Sequence, residues 1–75
     1  MVFETVRDTL AKQFDLDPST ITPDTNLIDD IGADSLDVVE LIMSLEDIYG
    51  IQISDDDAAK LVTVSKIVDY LEKLQ

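Results

Sequence analysis

Apolar residues recur at spacings of three and four at Phe3, Val6, Leu10 and Phe14. That spacing predicts one stripe of an amphipathic helix over about residues 2–15. Asp17-Pro18 should end it, because proline disfavours helix in the residue before it. From 16 to 33 the pattern breaks around Pro18, Pro23, Asn26 and Gly32, so a long loop with a single turn near Pro18 is expected. Leu27, Ile28 and Ile31 are the residues expected to tack this loop to the core. Loops of such length in small domains are more often functional than not.

Periodicity resumes at residue 35. Asp34 precedes it as an N-cap and Asp37 stands three positions on, the pattern of a capping box. The predicted helix runs from Ser35 to Tyr49 and stops at Gly50. Ser54 with Asp57 signals a further start, for a short helix to about Val62 whose first turn holds Asp55, Asp56 and Asp57. Thr63 opens the last helix, with Val64, Ile67, Val68, Leu71 and Leu74 as its stripe. No convincing strand is expected. The fold class is all-α: one domain over residues 1–75, a small bundle of three main helices and one short helix, with a long loop between the first two.

The helix over 35–49 is apolar on two sides. At 100° per residue, Val38, Leu41, Ile42, Leu45, Ile48 and Tyr49 share one broad sector, wide enough to be the core face. Leu36, Val39 and Met43 fall nearly opposite, flanked by Glu40 and Asp47 and, further out, by Asp37 and Glu46. An apolar centre with a charged rim reads as an interface. The alternative is a helix buried all round.

Charge sharpens that picture. The chain has 17 acids and 5 bases, a net charge of −12. The bases are Arg7, Lys12, Lys60, Lys66 and Lys73, so none lies between Gln13 and Ala59, where 13 of the acids sit. Such a polyanionic middle excludes nucleic acid as an expected partner and is repelled by anionic membrane surfaces. Charge runs are usually just a solvated surface; because these acids interleave with apolar residues, the sharper reading is a docking surface that steers basic partners. The 45% apolar content places the chain among folded domains. No apolar run approaches the length of a bilayer span, and no secretory leader is expected. With no Cys and no His, disulfides, thiolate or imidazole zinc sites and His-dependent nucleophilic catalysis are excluded. No metal site is assigned.

Ser35 follows a Gly-Ala-Asp turn at the exit of the loop, so its hydroxyl should be exposed. A helix N-terminus favours a negative group on that oxygen, such as a phosphate ester. Lacking a base to activate it, Ser35 is better suited to accept a phosphate-linked group from another enzyme than to catalyse.

The run Ile31-Gly32-Ala33-Asp34-Ser35-Leu36-Asp37-Val38-Val39-Glu40-Leu41 resembles the attachment site of acyl carrier proteins. Chain length, charge, helix order and the ending from Val64 to Leu74 extend the resemblance over essentially the whole chain, closest to free-standing carriers of bacterial-type fatty acid synthesis. It implies that Ser35, set between Asp34 and Leu36, receives 4′-phosphopantetheine from coenzyme A through a phosphopantetheinyl transferase. The arm's thiol would then hold acyl groups as thioesters, which accounts for a carrier without cysteine. The chain would be a substrate of other enzymes and not an enzyme, monomeric and cytoplasmic. The resemblance implies as partners the basic surfaces of synthases, reductases, dehydratases and acyltransferases, with no nucleic acid and no membrane. Their contacts on this chain would be Asp34, Leu36, Asp37, Val39, Glu40, Met43, Glu46 and Asp47, with Ile53 and Asp55 as further candidates. Ile28, Leu41, Leu45, Ile53, Ala58 and Leu61 stand where the family lines an acyl-chain cavity.

The chain departs from the family at Gly50, Gln52 and Ala59, uncharged where members are often acidic, and at Lys60, which dilutes the negative field. Polyketide, D-alanyl and peptidyl carriers share the Ser-Leu pair, although peptidyl carriers commonly have His where Asp34 stands. Outside carriers, Asp29, Asp30, Asp34 and Asp37 suggest weak binding of a hard cation, and Asp29–Asp30 an acid–base pair.

Overall fold

The computed structural model describes residues 1–74. Four α-helices follow one another: α1 Val2–Phe14, α2 Ser35–Tyr49, α3 Asp55–Ala58 and α4 Val64–Lys73, with a 3-10 turn at Pro18–Thr20. α1 packs against both α4 and α2, and α3 lies on α2. The fully enclosed side chains come from three helices and the loop: Val6 and Leu10, Leu41 and Leu45, Val64, Ile67 and Leu71, and Leu27. The period-3.6 stripes of the sequence meet in this one core.

Two helices end by the same device. Gly50 takes a left-handed conformation (φ 65°), and the Ile51 N–H donates to the Glu46 carbonyl at 3.1 Å. Asp15 does the same for α1 (φ 56°), and the Leu16 N–H donates to the Ala11 carbonyl at 2.8 Å. Both are the six-to-one bond of a Schellman turn. α1 therefore stops before the Asp17-Pro18 signal is reached. Pro18 instead starts the 3-10 turn, capped by the Asp17 carboxylate on the Ser19 N–H at 2.9 Å. That bond and the one from the Ser19 hydroxyl hold the Asp17 carboxyl below the usual carboxylate range.

The loop between α1 and α2 crosses the head of α4. Leu27 donates its N–H to the Val62 carbonyl at 2.8 Å, and Asn26 and Thr63 form an isolated antiparallel bridge. This is the one strand-like pairing among the described residues, in a chain read as free of strands. The Thr25 and Pro23 carbonyls accept from the Val64 and Ser65 N–H groups at 3.1 and 2.9 Å, while the Thr63 hydroxyl accepts from Lys66. The free N–H groups at the start of α4 are thus satisfied mostly by the loop.

Several expectations need correction. α3 ends at Ala58, four residues short of Val62, because the chain turns at Ala59 and Lys60 to meet Asn26. Leu74 lies beyond α4, as its C-cap, and is exposed. Ile28 is exposed rather than tacked down, while Ile21 and Ala33 join Leu27 in the core. Ile48 is 54% exposed, so the core face of α2 is narrower than drawn. At its edge α2 faces Thr9, Lys12 and Gln13 of α1, which offer Ile48 little apolar cover.

The left-handed Asp15 carries a direct test. Asp15→Val should lower stability by about 1–2 kcal/mol in urea unfolding, since a β-branched side chain resists positive φ, whereas Asp15→Gly should not.

Candidate functional site

The head of α2 is built from the loop outward. Gly32 turns the chain with φ 80°, and Ala33 is buried with its N–H on the Leu27 carbonyl at 2.9 Å. Asp34 is then extended, and its carboxylate accepts from the Asp37 N–H at 2.9 Å. Asp37 returns the bond, accepting from the Asp34 N–H at 3.2 Å. This is the capping box expected from the sequence.

Because Asp34 and Asp37 do the capping, the Ser35 hydroxyl is not needed for it. Ser35 is exposed, as the first residue of the helix. The Asp34 carbonyl already holds the Val38 N–H at 3.1 Å. The N–H groups of Ser35 and Leu36 precede the first intrahelical bond and remain available at the helix terminus. The helix dipole and these N–H groups favour an anion on the serine oxygen. They also offset the nearby charges of Asp34 and Asp37.

Beside Ser35 opens a mainly apolar groove of ≈ 430 Å³. α2 supplies Ser35, Val38 and Val39 to one wall, and α3 with its following turn supplies Asp55, Ala58, Ala59 and Val62 to the other. Ile28 reaches in from the loop, which explains its exposure. Of the six residues that stand where the family lines its acyl-chain cavity, Ile28 and Ala58 also border this groove. Leu41, Leu45, Ile53 and Leu61 lie in the core. Val38, Val39, Ala59 and Val62 complete the groove; Ala59 and Val62 were hidden because the sequence suggested one continuous helix there.

The outer face of α2 is as expected. Leu36, Val39 and Met43 are each at least half exposed, with Glu40 and Asp47 exposed beside them. Asp55 is exposed at the start of α3. Ile53 is different: at 8% exposure it cannot serve as a surface contact. Its N–H donates to the Glu46 carboxylate at 2.7 Å, so Glu46 is engaged in holding the chain between α2 and α3. Asp37 is likewise half-buried and engaged in the cap.

Tyr70 was not singled out by the sequence. Its hydroxyl donates to the Asp57 carboxylate at 2.9 Å, joining α4 to α3. That bond, burial and the nearby negative charge all push the phenol up from its ordinary pKa. Among the described residues no three acidic, His or Cys side chains converge to hold a metal ion. The Asp30 carboxylate is used within its own turn, accepting from the Asn26 N–H at 2.8 Å. No described helix is long and apolar enough to cross a membrane.

Comparison with known proteins covers the whole of this region. A family described as the phosphopantetheine attachment site matches residues 4–71. The acyl carrier protein of Campylobacter concisus is 48% identical over 73 residues, covering 97% of this chain and 95% of its own. That of Campylobacter hominis is also 48% identical over 73 residues, covering 97% of this chain and 92% of its own. Among solved structures, a putative acyl carrier protein from Mycobacterium tuberculosis superposes with a TM-score of 0.92 at 32% identity, covering 100% of both chains. The acyl carrier protein from Enterococcus faecalis gives a TM-score of 0.82 at 39% identity, covering 96% of this chain and 91% of its own.

The two kinds of acid on α2 can be told apart by stability. Glu46→Ala should cost about 1.5–3 kcal/mol in denaturant unfolding, the range for a hydrogen bond to a charged group. Asp47→Ala, on the open face, should stay within about 0.5 kcal/mol of the parent.

Proposed function

The chain belongs to the phosphopantetheine-attachment family of acyl carrier proteins, and from that premise we propose that Ser35 is the residue that takes the arm. The family role is to carry acyl groups on a covalently attached 4′-phosphopantetheine, with fatty acid synthesis as the typical setting. One observation carries the assignment to Ser35. An exposed hydroxyl stands at the head of a helix whose cap is made by other residues, directly beside an apolar groove.

The residues present fit the group. The Ser35 oxygen is free to enter a phosphodiester, and the Ser35 and Leu36 N–H groups with the helix dipole would favour its anionic oxygens. When attached, the arm supplies the thiol this cysteine-free chain lacks, on which acyl groups are held as thioesters. Val38, Val39, Ala58 and Ile28 offer apolar cover next to that serine. Asp34 holds the turn that presents it.

The chain has no His to activate Ser35, and the family's arm is placed by another enzyme. Transfer of the arm therefore falls to a separate phosphopantetheinyl transferase, and the acyl chemistry to the enzymes the carrier visits. We assign the encounter surface to Leu36, Val39 and Met43 with Glu40, Asp47 and Asp55. Its apolar centre gives contact area, and its acids steer basic partner surfaces without demanding tight binding. Glu46 and Asp37 contribute to the field while their carboxylates stay engaged in the fold. A single carrier domain working as a monomer in the cytoplasm completes the reading, and these last points rest on the family resemblance alone.

Incubation with coenzyme A and a broad-specificity transferase should add the mass of the arm to the parent chain. Ser35→Ala should gain nothing in the same intact-mass measurement; arm addition to that variant sinks the assignment. Met43→Glu should slow loading or processing by partner enzymes about tenfold or more, the effect of losing a central contact. Its circular dichroism should be unchanged, since Met43 is 58% exposed.

A further inference from the structure

The groove beside Ser35 has one wall of a different kind from the other. Val38 and Val39 belong to a helix of 15 residues whose opposite side is in the core. Asp55 and Ala58 belong to a helix of 4 residues with none of its side chains fully buried. A helix that short has no stability of its own. It holds its place only through what ties it down.

Ile53 and Leu61 are buried on either side of this helix and Ala58 packs against the core; three hydrogen bonds made by side chains add to that. At the front, Glu46 accepts from the Ile53 N–H at 2.7 Å, and the Ser54 hydroxyl caps the Asp57 N–H at 3.1 Å. Both act before or within the first turn. From α4, the Tyr70 hydroxyl donates to the Asp57 carboxylate at 2.9 Å. Among the described residues, every other hydrogen bond between two side chains joins positions no more than three apart; this one spans 13. The ring of Tyr70 packs against the core, so its hydroxyl is a fixed point on a rigid mount.

We propose that Tyr70 is a positioning residue for the groove: through Asp57 it holds α3 closed against α2 and so sets how readily straight apolar cargo gains the space beside Ser35. The wall of Ala58 and Ala59 moves only as far as Asp57 lets it. The statement about cargo rests on the reading of Ser35 given above; the statement about the wall does not. Tyr70 touches neither the groove nor the serine, since it lines a separate cleft with Lys60, Lys66 and Lys73 on the far side of the turn. Its influence is carried by α3 alone.

The test compares the parent chain with Tyr70→Phe, which keeps the ring and removes the donor. In the unloaded protein, amide hydrogen exchange is read at Ala58, Ala59, Lys60 and Leu61, whose N–H groups are bonded to the Ser54, Asp55, Asp57 and Ala58 carbonyls. Exchange there should rise about 2- to 10-fold, the factor expected for one lost hydrogen bond. Leu41 and Leu45 in α2 should be unchanged. No rise at these four amides, or an equal rise across all four helices, overturns the proposal.

In protein loaded with an octanoyl thioester, the freed wall should admit the chain more readily, so hydroxylamine should cleave the thioester more slowly in Tyr70→Phe by a similar factor; equal or faster cleavage would overturn the cargo statement. If the parent chain cannot be loaded at all, the reading of Ser35 fails, and the exchange measurement still decides whether Tyr70 holds the wall.

Discussion

Leu27 is 1% exposed, and its N–H is bonded to Val62 at 2.8 Å. Those two contacts pin the middle of the long connection between α1 and α2, and much of the molecule follows from them. With Leu27 held, the preceding residues lie over the start of α4, where Pro23 and Thr25 satisfy backbone donors that would otherwise be unpaired. The following residues turn back on Asn26 and Gly32 and deliver Asp34 to the head of α2. Ile28, next to the anchor, is carried to the edge of the groove. A loop in this fold is therefore a structural element held by one apolar side chain and a few backbone bonds.

α2 lives under two demands at once. Leu41, Ile42 and Leu45 must be enclosed to give a 75-residue chain a core. Leu36, Val39 and Met43 stay in water, where they stabilise nothing in the free protein. The acids around them add self-repulsion to a chain already at −12. This arrangement costs stability. Loop capping of α4, the reciprocal cap of α2 and two Schellman ends offset part of that cost.

The acids of the middle stretch divide by what their oxygens do. Asp17, Asp30, Asp34, Asp37, Glu46 and Asp57 each accept a hydrogen bond that shapes the backbone or joins two helices. Glu40, Asp47 and Asp55 are exposed on the face beside the groove. A residue such as Glu46 adds to the field around Ser35 while its carboxylate is occupied. Charge reaches across solvent over several ångströms, whereas a hydrogen bond needs the oxygen itself.

Most of this was legible in the residues because it is local. Helix stripes, the Asp34–Asp37 cap, the stop at Gly50, the two-sided α2 and the exposed Ser35 all depend on neighbours within about one helical turn, and spacing in the chain reports such neighbours faithfully. The family resemblance followed from the same stretch. Other features depended on residues far apart in the chain. The burial of Ile53 and its bond to Glu46, the exposure of Ile48, the early end of α3 and the Tyr70–Asp57 bond are set by which helix lies opposite. The groove is the clearest case. Leu41, Leu45, Ile53 and Leu61 fill the core, while Val38, Val39, Ala59 and Val62 form its walls. Apolar character alone does not distinguish a packed side chain from one that faces a space. That distinction is made only when the helices close on one another.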